Sequence, residues 1–343
     1  MQRFAVVAAS AVLCATARCW AQAATGDPVG QGVVDSNDRP VELAPLAARS
    51  LLLDIARAGN KLVAVGEHGH VLLSLDDGST WVQSAAVPAR TTLTAVCFAD
   101  AQHGWAVGHD EIILNTSDGG KTWTRSHYAP EAQQPLLDVW FADSLRGIAI
   151  GAYGTYLTTA DGGETWASRK FESQPLVKDK RDAPPDPHAE PPPDYHLNHI
   201  AAAGKYLFIA AEAGNLYRSD DGGAHWLALP SPYNGSFFGL LPLGGDSLLA
   251  MGLRGNLFRS NDAGASWQKL ITGTTAMLTD GAVLNANTVA LVGLSGVVLI
   301  SQDGGATFAL KQQEDRKGIS ALQPGAAGSI VVVGESGAKR VQW

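Results

Sequence analysis

The chain has 343 residues, enough for one large β domain, and its apolar content of 45% against 17% charged allows a substantial core. Its 38 glycines favour a turn-rich fold over helices, where each interior glycine costs about 1 kcal/mol. The net charge of −8 excludes the broad basic surface that nucleic-acid binding needs.

The N-terminus reads as an export leader. "MQR" is basic, "FAVVAASAVLCATA" is apolar but too short to span a bilayer, and Ala21–Gln22–Ala23 is a small-x-small cleavage site. Cleavage after Ala23 is expected, with a periplasmic or secreted product. Leu13 before Cys14 and Arg18 before Cys19 do not fit a lipid-attachment site. Of three cysteines, cleavage leaves Cys97, which cannot form an internal disulfide and sits in the apolar stretch "LTAVCFAD", as a buried structural residue would. Residues 24–343 form one domain.

An octet recurs six times along the chain: "SLDDGSTW" from Ser74, "TSDGGKTW" from Thr116, "TADGGETW" from Thr159, "SDDGGAHW" from Ser219, "SNDAGASW" from Ser260 and "SQDGGATF" from Ser301. Before each lies a strand–turn–strand motif such as "VGEHGHVLLS" or "IGAYGTYLTT", and a seventh, "VGESGAKRVQW", begins at Val333. Glu111 replaces the second glycine of the second copy and Ala211 the first of the fourth. An apolar run precedes every motif. Four short strands per unit at this period specify an all-β, seven-bladed propeller with four-stranded antiparallel blades. The last unit stops at its third strand, so Pro40–Ala47 is expected to supply the missing outer strand and close the ring, leaving no open edge.

The octet and its partner motif resemble the photosystem II stability/assembly factor family of seven-bladed Asp-box propellers, over roughly Ser50 to Trp343. The resemblance implies a non-catalytic assembly or stability factor that binds a protein partner, such as a membrane complex or a transporter.

Within the octets, Asp76, Asp118, Asp161, Asp221, Asp262 and Asp303 are read as structural. Each accepts hydrogen bonds from its own turn, while glycine supplies the positive φ of the loop. Six hairpins around a ring point away from one another, and calcium needs six to eight converging oxygens, so no metal is expected there. His225 stands where other octets carry a hydroxyl, and Phe308 where they carry tryptophan; size is expected to matter more than chemistry.

Asp-box propellers include glycan hydrolases, which as a family place arginines on the innermost strands. Aligned on their third position, those strands carry Asp54, Ala95, Asp138, His199, Gly239, Asp280 and Ala321, with no arginine at that position. This disfavours an anionic-sugar enzyme and leaves Asp54, Asp138, His199 and Asp280 as candidates to line a polar channel. A glycan-active hydrolase or lyase is the alternative reading.

The turns opposite the octets carry Glu67, His68, His109, Asp110, Glu111, Tyr153, Glu212, Arg254 and Glu335, the candidate partner-binding rim. "HGH" at 68–70 is too short for a metal site, and no cofactor is expected. The insertion Ser173–His196 contains seven of the chain's 17 prolines and should be extended and mobile. The chain is expected to act as a monomer.

Overall fold

A computed structural model describes residues 39–175, 194–326 and 328–343. The expected leader and most of the Pro-rich insertion lie outside the described residues.

The repeats fold as seven sheets. Their innermost strands are Leu52–Ala58, Leu93–Phe98, Leu136–Phe141, Leu197–Ala203, Phe237–Gly244, Leu278–Val283 and Ile319–Pro324, which define blades 1 to 7. Each pairs with a second strand buried on both faces, for example Ile148 and Ala149 in Gly147–Gly151, and these runs pack blade against blade. Seven apolar clusters occupy the seams. One joins Leu52, Ile55 and Leu72 of blade 1 to Ala321, Val331 and Val333 of blade 7, so the core continues through the closure. Among the described residues, no helix is long and apolar enough to cross a membrane.

Every innermost strand carries a register shift just before its channel position, as between Leu52 and Asp54 or between Leu278 and Asp280. A bulge inserts a residue and re-aims its neighbours. Here it turns side chains of one blade toward the backbone of the next.

Pro40–Ala47 is not the expected closing strand. Val41 N–H donates to the Val87 carbonyl at 2.8 Å, Gln83 bonds Ala44 N–H and the Glu42 carbonyl, and Ala47 packs into the seam between blades 1 and 7. The segment is a strap across the outside of blade 1, joined to the outer strand Val82–Gln83 by the Gln83 side chain where a β-ladder would use backbone. Blade 7 keeps three strands among the described residues. The ring closes instead through Arg57 to the Pro324 carbonyl (2.7 Å), Gln323 to the Ile55 carbonyl (3.1 Å) and the apolar seam.

The start of the insertion is packed rather than loose. Ser173–Pro175 runs parallel to the outer strand of blade 4, Trp226–Ala228, as a fifth strand. Residues 176–193 lie outside the described residues.

In the octets, the first residue is the hub. Thr159 Oγ1 donates to Asp161 Oδ1 at 2.7 Å and accepts from Gly163 N–H at 3.0 Å; Thr165 N–H and Oγ1 then donate to the two Asp161 oxygens. The Thr165 hydroxyl and N–H hold the Asp161 carboxyl down at about 2. The same net recurs on Asp76, Asp118, Asp221, Asp262 and Asp303. At His225 the chemistry survives as well as the size: its Nδ1 takes the hydroxyl's place, 2.7 Å from Asp221 Oδ2. The glycine of each loop also abuts the preceding blade. At Gly163 (φ +82) a Cβ would lie 2.9 Å from Trp105 Nε1, which donates to the Gly162 carbonyl. Thr159→Val, which keeps shape and removes the hydroxyl, should cost about 1–2 kcal/mol in urea unfolding, because it leaves a buried N–H unpaired.

Candidate functional site: the channel and the turn-bearing rim

Asp54, Asp138, His199 and Asp280 are half-buried and close enough to perturb one another's charge, so the ring positions do converge. The bulges explain what the carboxylates do. Asp54 accepts from Ile55 N–H and, across the seam, from Val96 N–H of blade 2 (both 2.7 Å). Asp138 accepts from Val139 N–H (2.7 Å) and from Ile200 N–H of blade 4 (2.8 Å), and Asp280 from Gly281 N–H (2.7 Å) and from Leu322 N–H of blade 7 (2.9 Å). Each aspartate thus stitches its blade to the next.

Neutral residues stitch two other seams and reinforce the one that Asp280 spans. The hydroxyl of Thr94 reaches the Leu136 carbonyl, the Asn198 amide the Phe237 carbonyl, and the Thr279 hydroxyl the Ile319 carbonyl. These bulge residues, one position before the channel ring, escaped the sequence reading. A polar residue precedes the aligned position in four strands, at Thr94, Asn198, Thr279 and Ser320, and was the signal available for them.

The ring's electrostatics follow from confinement. Burial pushes the Asp54 carboxyl up to about 7, aided by Asp138 and Asp280 and opposed by its two N–H donors. Burial likewise raises Asp280. For His199, burial opposes the charge, but Asp138, 2.8 Å from Nδ1, outweighs it together with Asp280 and Asp54, and the imidazole is lifted to about 9. Cys97, half-buried nearby, has its thiol pushed well up by burial and by Asp138 and Asp54, so it is a poor nucleophile. Among the described residues, no three His, Cys, Asp or Glu side chains are arranged to hold a metal ion.

On the opposite-turn face, the nine rim candidates occupy three turn positions. At the first, Glu67 accepts Leu51 N–H (3.0 Å) and Glu212 accepts His196 N–H (3.1 Å), fastening the entry to their own innermost strands. His109 and Glu335 share that position and are exposed. At the second, His68, Asp110, Tyr153 and Arg254 adopt φ between +54° and +61°, as do Ala213 and Ser295 in their turns at +53° and +59°. Left-handed backbone is uncommon for such residues. Six turns hold it, and His68, Tyr153 and Arg254 project into solvent from it. At the third, Glu111 replaces glycine, is 8% exposed, and faces His127 Nε2 at 3.2 Å.

Two of the nine line a common groove. Glu111 and Tyr153 border a cavity of about 990 Å³ between blades 2, 3 and 4, with Arg169, Phe171, Asp194 and Tyr217. Tyr153 packs edge-on against His196 (4.7 Å between ring centres), and His196 Nδ1 lies 3.3 Å from Glu212. Arg254 and Glu335, on blades 5 and 7, do not line that groove.

The family model described as photosynthesis system II assembly factor YCF48 matches residues 83–134 and 127–287. The chain belongs to this family. Among solved structures, it is similar to YCF48 bound to D1 peptide (20% identity, 86% of this chain and 93% of that one, TM-score 0.65). It is also similar to YCF48 from Cyanidioschyzon merolae (17% identity, 88% and 97%, TM-score 0.63). A glycoside hydrolase of family GH74 from Niastella koreensis shares the fold (14% identity, 88% of this chain and 53% of that one, TM-score 0.62). At these identities the likenesses concern the fold. No curated protein sequence matches the chain significantly.

Proposed function

We propose that the chain is an exported, non-catalytic assembly or stability factor that binds a protein partner through its turn-bearing rim. The observation that carries this reading is membership of the YCF48 family. A YCF48 propeller of similar fold has been solved with a peptide bound, which supports a polypeptide ligand here too. A groove with an exposed tyrosine, cationic and acidic walls and a rigid scaffold suits such a ligand. The periplasm or the exterior is the proposed site of action, from the leader, and a membrane complex or transporter the proposed partner. The channel carboxylates, each accepting two backbone N–H groups, suit a structural role better than acid–base catalysis.

A photo-crosslinking residue at Tyr153 or Arg254 should capture a partner from the cell envelope, while one at Glu164 on the octet face should not. Tyr153→Ala should weaken that complex about tenfold, as removal of an aromatic anchor does. Equal capture from both faces would count against the rim.

A further inference from the structure

Blade 7 ends in the strand Gly337–Gln342, with no fourth strand among the described residues. We propose that this edge takes up an extended, acidic segment of a partner protein as the missing strand. The surface lies on the perimeter, separate from the rim, and the mode is backbone pairing.

The edge differs from the outer edges of other blades. Their outermost antiparallel strands are two to four residues long, the short edges that proteins tolerate. Gly337–Gln342 has six residues, paired throughout with Ser329–Gly334 without a register shift. The pair Gly334–Gly337 closes a two-residue hairpin. Antiparallel alternation from that pair turns the N–H and C=O groups of Ala338, Arg340 and Gln342 outward. Those outward groups have no backbone partner among the described residues.

What flanks the edge selects the ligand. On the blade 1 side, Leu43 and Leu46 of the strap are each 64% exposed and Val82 is 69% exposed. The strap ends against the top of the edge, where a Cβ on Gly337 would lie 2.1 Å from the Ala48 carbonyl. The border is cationic in a chain whose net charge is −8. Arg49 and Arg340 are exposed, Arg340 donating to the Ser79 hydroxyl, and Lys339 lies beyond, held by Asp315 at 2.7 Å. Two copies pairing edge to edge would set these cations against their own kind, which disfavours a second copy. An extended segment that turns its acidic residues toward Arg49 and Arg340 matches the outward amides and these cations together.

The test uses the ¹⁵N-labelled full chain and a short synthetic peptide alternating valine with glutamate, beside one carrying lysine instead. The glutamate peptide should slow exchange of the Ala338, Arg340 and Gln342 amides about tenfold or more. Arg340→Glu, at an exposed position, should weaken that binding about tenfold, and the lysine peptide should not bind. Four results would each overturn the proposal: no slowing with the glutamate peptide; equal binding of the lysine peptide; outward amides as slow as those of Lys339 and Val341 before any peptide is added, which means the chain fills its own edge; and slowing that grows with protein concentration, which means a second copy does.

Discussion

Asp138→Ala is expected to destabilise the protein by about 3 kcal/mol, seen as a lower urea midpoint at unchanged slope. Alanine removes the acceptor of two N–H groups, one of them Ile200 across the seam, and strips His199 of the carboxylate 2.8 Å away. With the side chains 14% and 29% exposed, the pair is more screened than a fully buried one, hence the lower end of the range for breaking such pairs. Asp54→Ala removes a similar pair of acceptors but no ion pair, so its cost should be smaller, about 1–2 kcal/mol. Equal losses would mean that the ion pair contributes nothing and that only the stitching counts. Asp138→Asn, which can still accept one N–H, should recover part of the loss.

The blades were legible in the sequence because each repeats the same local solution: a hairpin closed by hydroxyl, aspartate and glycine, then a strand pair turned by "VGxxG". Such features depend on residues a few positions apart. What joins the blades was less legible. The partner of Asp138 is a backbone N–H at Ile200, beyond the insertion, and backbone groups leave no mark on residue identity. The bulges were hidden because strict alternation is the pattern by which strands are read, and a bulge breaks it by one residue. His225 looked like a loss of chemistry because its equivalence to a hydroxyl lies in where Nδ1 falls. The strap defeated the expectation of a closing strand for a similar reason: Gln83 imitates a ladder with its side-chain amide, and "PVELAPLA" has the apolar content of a strand with prolines that interrupt one. Alignment of the inner strands groups Asp54, Asp138, His199 and Asp280, but the grip of the three aspartates on the next blade follows only from the register. On the rim, the sequence located the turns but could not distinguish Glu67 and Glu212, which fasten strands, from Tyr153 and Arg254, which are exposed.

Stability should fall by about 2–4 kcal/mol between pH 5 and pH 9, a decline centred on the channel ring. His199 is raised in the folded protein, from 6.5 to about 9, so its contribution is full below pH 6.5 and is lost as pH climbs through 9. Asp54 is raised as well, from 3.8 to about 7; folding favours its protonated form, and that contribution fades as pH passes from 4 through 7. Both groups therefore slope the same way. The two are coupled, since the Asp54 charge that appears near pH 7 helps to hold the His199 proton, which delays the second loss. His70 works in the opposite sense at the acid end. It is 5% exposed with an unpaired Nδ1, and burial lowers its pKa, so its contribution is present above 6.5 and is lost as pH falls through the lowered value. Urea midpoints measured across this range should decline less steeply than the wild type's above pH 6.5 in His199→Gln and between pH 4 and 7 in Asp54→Asn, the remaining slope coming from the groups left in the ring, Asp280 among them. A wild-type protein whose midpoint rises from pH 5 to pH 9 would show that the ring carboxylates are solvated well enough to ionise freely, and that the stitching bonds, rather than the burial, govern their protonation.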